Sequence, residues 1–344
     1  MRARTIFTVA TVLVAGIMVA GQGSRHLNPM IDLLSQKKPV FGLYAPRNPR
    51  TRSGAAGTLP GGAARTPPYV PPVSTAAPPS PPKTAAQLAA EALGNTSTDF
   101  IFDGTMEGGM ERALPAYTEF VKGMAASGSF HKSSTKQLTH PLVVKMHEIA
   151  PDPKLAAASI SAQLNLGVSG IMFVKVESAD EAKTGIAAMR FKSKGGTRPD
   201  DVGQAPKMWG LSEKEYREKA DLWPLNPNGE LVNWTIVESK EGLAHVREIA
   251  AVPGVGVLWP GAGTLRGVFS TTNPDGTRKL DEAAWEAAIQ QVLSACKEFK
   301  VPCGFPATPN DIELRMQQGF SVFVMNWGDP GFKAIEKGRK AAGR

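Results

Sequence analysis

Glu238 stands where the apolar run Val232 to Val237 stops, and a carboxylate at the end of a buried strand is a candidate for acid–base or metal chemistry. Lys145 and His147 stand two apart in a second run, Leu142 to His147, so the period of a strand would point both to one side. On a barrel strand that side is the interior or the helix layer, and two polar residues facing helices would be costly to bury. Facing the mouth, they supply a cation and a proton carrier beside Glu238. Asp103 closes a third run, Asp99 to Asp103. Past the strand Val255 to Trp259, the turn Pro260-Gly261-Ala262-Gly263 offers backbone amides as a cradle for an anionic group. Each residue also has a structural reading. Glu238 suits the first turn of a helix, His147 suits a satisfied half-buried site, and Lys145 suits an ion pair with Glu148 or Asp103.

Such residues cooperate only if their strands end at a common opening. The chain supplies strand-like runs at Pro39 to Ala45, Asp99 to Asp103, Leu142 to His147, Gly170 to Val176, Val232 to Val237, Gly256 to Trp259, Pro302 to Phe305 and Ser321 to Met325. Helical patterns fall between them at Thr84 to Leu93, Ala113 to Met124, Lys154 to Leu166, Ala179 to Met189, Glu282 to Phe299 and Asn310 to Gln318. Leu243, Val246 and Ile249 mark a further helix after Glu238. Eight strands alternating with helices predict an α/β fold, a (β/α)8 TIM barrel, with an open doubly wound sheet as the alternative. The long polar loop over residues 190–230 would cover the strand mouth or make an oligomer contact.

Composition narrows the partners. The net charge of +8 arises from residues 1–84, where ten Lys/Arg oppose the single acid Asp32. The remainder is close to neutral and has no basic stripe interleaved with aromatics, which argues against nucleic acid. Residues 1–23 combine Arg2 and Arg4, an uncharged run and small residues near Gly21, the shape of a secretory signal. The expected location is periplasmic or secreted, with a membrane anchor only if that segment is uncleaved. Residues 24–46 begin the barrel domain. Residues 47–83, with nine prolines from Pro60 onward, read as a disordered insertion. Residues 84–335 complete the barrel and 336–344 form a basic tail. Cys296 and Cys303 are expected as buried free thiols, although a disulfide is compatible with export.

Motifs exclude other classes. Gly261 to Gly267 has the wrong glycine spacing for a dinucleotide fingerprint, and no Walker A, HExxH or GxSxG sequence occurs.

The succession DFIFDGTMEGG, LVVKM, LGVSGIMFVKVESADEA with RFKSKGGTRPDD, VNWTIVESKEGLAHVREIAAVPGVGVLWPGAG, VPCGFP and GFSVFVMNWGD resembles the HpcH/HpaI aldolase and citrate lyase β-subunit family. The resemblance spans about residues 39–330. It implies a phosphoenolpyruvate/pyruvate-type barrel, a homo-oligomer, and divalent-metal-dependent formation or cleavage of a carbon–carbon bond next to a 2-oxo or hydroxy acid. The metal, Mg²⁺ or Mn²⁺, would stabilise the enolate. By this resemblance Glu238 is the first metal ligand. The second, an aspartate, falls on or beside Gly263, where no carboxylate stands. The arginine that holds the substrate carbonyl falls on Lys145, which keeps the charge but not the planar fork. The general-base histidine falls on Met106 or Gly108, while Asp103 matches the aspartate of that turn and Glu107 lies near. His147 or Glu107 would then carry the proton, and Gly261, Ala262 and Gly263 would cradle the carboxylate. The altered positions leave open a barrel that only binds an organic acid or a protein partner.

Overall fold

An all-apolar strand is stable only where both of its faces are covered, and here the strands are covered by helices outside and by each other's side chains inside. The structure, a computed structural model, describes residues 26–48, 81–127, 130–131 and 137–344. Residues 1–23, read above as an export signal, and residues 49–80 of the proline-rich insertion lie outside the described residues.

Eight parallel strands follow in chain order: β1 (Val40–Tyr44), β2 (Phe100–Asp103), β3 (Leu142–Lys145), β4 (Gly170–Phe173), β5 (Leu231–Val237), β6 (Val255–Pro260), β7 (Gly304–Pro306) and β8 (Val322–Met325). Each pairs with its neighbour in sequence, and β8 returns to β1 with Val40 opposite Val322. The seam between β6 and β7 is a single bridge, Leu258 opposite Cys303, with the Leu258 amide donating to the Pro302 carbonyl at 3.0 Å. The order is circular, so the doubly wound alternative falls and the barrel stands.

Large rings fill the interior. Trp234 and Trp259 stack at 5.6 Å between centroids, and Phe100 meets Trp234 edge-on at 5.3 Å. Gly304 makes room for them, because a Cβ there would lie 1.9 Å from the Trp259 ring. The N-terminal end of the barrel is plugged by the helix Pro29–Ser35, whose Met30, Ile31 and Leu34 join the interior cluster. The buried Glu230 carboxylate fixes that plug by accepting the Leu27 and Asn28 amides at 3.0 and 2.9 Å.

Several expectations need correction. β3 ends at Lys145, so the alternation does not extend to His147. The stretch after Glu238 forms two short helices, Lys240–Ala244 and Val246–Ala250, separated at His245. The loop 190–230 does not cover the mouth. It follows a helix and precedes β5, which places it at the strand N-termini, where Leu222–Trp223 pairs with Leu231 and Val232. A bidentate bond from Arg190 to Asp221, at 2.7 and 3.2 Å, holds it there. Residues 336–344 are no tail, since the helix Asp329–Ala341 runs through most of them and Arg339 and Arg344 converge on Asp99. Cys296 and Cys303 form a disulfide rather than free thiols.

Candidate active site

Strand direction decides where the chemistry can sit, because the eight strands end on one face and their last side chains meet there. A pocket of about 210 Å³ opens on that face, lined by Tyr44, Lys145, Glu238, Trp259 and the turn Gly261 to Thr264. Its floor is apolar, built from Phe102, Met172, Ile236 and Val324.

Glu238 follows β5 directly and is only 6% exposed. One carboxylate oxygen accepts the Lys175 amide at 3.1 Å. The other lies against Gly261, where a Cβ would come within 2.6 Å of that oxygen and 2.3 Å of the Glu238 Cβ. Gly261 is therefore needed for the space it leaves. Its amide donates to the Val237 carbonyl at 2.9 Å and is not available as a cradle. The following helix, Ala262–Val268, begins at the pocket wall, and the Ala262, Gly263 and Thr264 amides precede its first internal donor, the Leu265 amide, which bonds the Gly261 carbonyl.

Lys145 ends β3 in the same pocket, and its Nζ lies 2.8 Å from Glu107 Oε1. Its partner is thus neither Glu148 nor Asp103. Asp103 lies just beside the pocket, where it accepts from the Thr105 amide at 2.7 Å, from the Thr105 hydroxyl, and from Arg47 at 3.1 Å. These bonds shape the turn Thr105–Gly108 that carries Glu107. Of the two residues on which the family's histidine would fall, Met106 is buried in the core and Gly108 carries no side chain.

His147 is not brought to the pocket. Its Nδ1 meets the Glu148 carbonyl and its Nε2 the Ser159 hydroxyl, both within 2.9 Å, so the ring faces the helix Pro153–Asn165. The physical reason is the end of the strand at Lys145, beyond which alternation no longer sets side-chain direction.

Tyr44 escaped the sequence reading. It is the last residue of β1, a position that strand ends alone could have flagged. Burial, and then the charge of Glu107, push its phenol above the ordinary value, with Asp103 adding to this and Arg47 opposing it. At neutral pH it is a hydrogen-bond donor facing the pocket.

The donors for a divalent ion are few. Glu238 is the single carboxylate among the pocket-lining residues, and nothing stands within 4 Å of where a Gly263 Cβ would be. Among the described residues no three His, Cys, Asp or Glu gather as a ligand set. The residues present do not fit a protein-chelated metal of the kind the family implies.

A family match falls on this frame. Residues 135–323 match the HpcH/HpaI aldolase/citrate lyase family, which is more than half of the chain, and the chain belongs to that family. A 2-dehydro-3,6-dideoxy-6-sulfogluconate aldolase of Pseudomonas putida is 28% identical over 173 residues, which is 50% of this chain and 61% of the relative. A hydroxypyruvate/pyruvate aldolase of Paraburkholderia phytofirmans is 27% identical over 154 residues, 44% of this chain and 55% of the relative. The chain thus spans about three fifths of the length of these relatives. The structure of an HpcH/HpaI aldolase/citrate lyase family protein from Burkholderia cenocepacia superposes with a TM-score of 0.60 at 19% identity, covering 91% of this chain and 97% of that one.

Proposed function

We propose that this chain is a divergent, exported lyase that forms or cleaves a carbon–carbon bond next to a 2-oxo acid. One observation carries the reading: Lys145, Glu238 and Tyr44 line a single small pocket at the strand C-termini. The aldolase names of the two relatives support the reaction type.

In this reading the acid's 2-oxo oxygen displaces Glu107 from Lys145, and the ammonium then sits beside the oxygen on which enolate charge develops. The protonated Tyr44 hydroxyl donates a second hydrogen bond there. Glu107, half-exposed and released from its ion pair, accepts the proton of the alcohol as the carbon–carbon bond breaks, and in exchange it accepts the methyl proton of pyruvate as the enolate forms. Glu107 is better placed than His147 for that proton, because both His147 ring nitrogens are already engaged. The Ala262, Gly263 and Thr264 amides face the carboxylate, while Glu238, held by Lys175 and Gly261, sets the negative wall that orients it. The family's divalent cation would find only Glu238 among the pocket residues, so no step is assigned to it.

A second reading has its own support. The lack of a carboxylate at or beside Gly263 and of a histidine at Met106 or Gly108 favours a barrel that binds an organic acid without turning it over. Solvent-proton exchange at the pyruvate methyl, with and without Mn²⁺ or Mg²⁺, separates the two. The lyase exchanges and Lys145→Ala lowers the rate about 10²- to 10³-fold; saturable pyruvate binding with no exchange under any condition leaves only the binder.

Export rests on the signal-like residues 1–23, and the Cys296–Cys303 disulfide supports an oxidising compartment. Among the described residues no helix is long and apolar enough to cross a membrane. N-terminal sequencing of the protein recovered from the envelope fraction tests the point, and an intact Met1 in the cytoplasm would end it.

A further inference from the structure

A cleft of about 720 Å³, larger than the mouth pocket, lies at the opposite end of the barrel. It opens between the plug helix, the loop at Trp223, the turn before β6 and the end of the helix Glu282–Phe299. Lys37, Lys38, Lys297 and Lys300 line it, and no Asp or Glu does. All four are exposed, and none has a carboxylate within ion-pair distance. Four like charges around one concavity raise its potential, and among the described residues no carboxylate lines it.

The backbone adds an independent observation. Among the described residues only three that are not glycine take a left-handed φ, and two of them are Lys37 and Lys300, both at +57°. That conformation is sterically disfavoured for lysine and free for glycine. Lys300 stands just past the last turn of its helix, where glycine is the ordinary choice. Neither side chain repays the strain through any hydrogen bond or ion pair in the fold, and both border the cleft.

We propose that this cleft is a second binding site, taking a small anion of several charges of the phosphate type. Lysine ammonium groups bind phosphate oxygens as point charges without fixed geometry, which suits four mobile side chains on one rim. The partly buried Trp223 and Phe299 between them leave an apolar wall for whatever body carries the charges. The site lies at the strand N-termini and shares no residue with the mouth pocket, so its occupancy does not depend on the lyase reading.

Calorimetry on the full chain with inorganic triphosphate tests this directly. Binding of one triphosphate per chain is expected, weakening as salt is raised. The double variant Lys297→Glu with Lys300→Glu lowers affinity at least about tenfold by reversing two of the four charges. Lys300→Gly separates site from scaffold, because it weakens triphosphate binding while raising Tm. If the double variant fails to fold, Lys297→Gln and Lys300→Gly decide together. Lysine-dependent sedimentation with phosphatidylglycerol vesicles, without triphosphate binding, assigns the same chemistry to a lipid headgroup. Absence of both, or triphosphate affinity unchanged in the variants, overturns the proposal.

Discussion

The Lys145 ammonium lies 2.8 Å from the Glu107 carboxylate, so the cation of the mouth is covered by the protein's own anion. Any acid that uses Lys145 must first compete with Glu107, which is 42% exposed and free to swing away, whereas Lys145 is 17% exposed and held by its strand. Glu107→Gln should therefore tighten pyruvate binding and slow methyl exchange about 10²-fold, because the competitor and the proton acceptor are lost together. Calorimetry and exchange kinetics on one preparation check it, and weaker binding in the variant would contradict the arrangement.

Gly261 and Glu238 share one volume. In Gly261→Ala the new methyl would lie 2.3 Å from the Glu238 Cβ, so either the turn or the carboxylate must move. A loss of about 1–3 kcal/mol of stability is expected, together with disturbed ligand binding. A urea titration beside a pyruvate titration measures both. A variant as stable as the parent would show that the turn yields freely.

The fold was legible where burial alone writes the signal. The runs at β1, β2, β5 and β8 are buried almost throughout and mostly apolar because helices and barrel interior cover both faces, and hydrophobicity marks each within a residue or two. The site was less legible. Hydrophobicity marks where a chain is buried and not where its ladder stops, so the run Leu142 to His147 carried His147 into a strand that ends at Lys145. Length and polarity point loop 190–230 to the mouth or to an oligomer contact, and its position after a helix and before a strand removes the first of these by assigning it to the strand N-termini. Tyr44 went unnoticed because its significance comes from Glu107 and Arg47, distant in sequence and near in space.

Acid stability should follow Asp221. Burial alone would raise its carboxyl, but the Arg190 guanidinium, Asn226 and the Leu222 amide outweigh that and hold it below the usual range. The unfolded value is the higher of the two, so this stabilisation is complete above pH ~4 and is lost as pH falls through the folded value. Asp221→Asn should flatten the acid limb of a stability–pH curve. Arg190→Met, which strands a buried charge, should cost about 3–5 kcal/mol at neutral pH. An acid limb unchanged in Asp221→Asn would assign the loss to other groups.

The alkaline limb should follow Tyr117. Burial, and then the charge of Asp103, push its phenol well above the ordinary value, and its hydroxyl has no hydrogen-bond partner. The folded value is the higher one here, so stability is full below pH ~10 and declines above it as the unfolded chain ionises first. Tyr117→Phe removes an orphaned polar group, so it should gain about 1 kcal/mol at neutral pH and show a shallower alkaline decline. Thermal melts across the pH range decide it.

The ring of strands is fastened unevenly. Seven of its joints are ladders, and the eighth, between Val255–Pro260 and Gly304–Pro306, is one clasp at Leu258 and Cys303. Thermal breathing should begin there, with the Leu258 amide among the first of the core amides to trade its proton for deuterium. The lysine-rimmed cleft borders that clasp through Val255, Pro302 and Cys303. An anion lodged in it would grip both sides of the gap, turning the hoop's weakest link into one that tightens on occupancy.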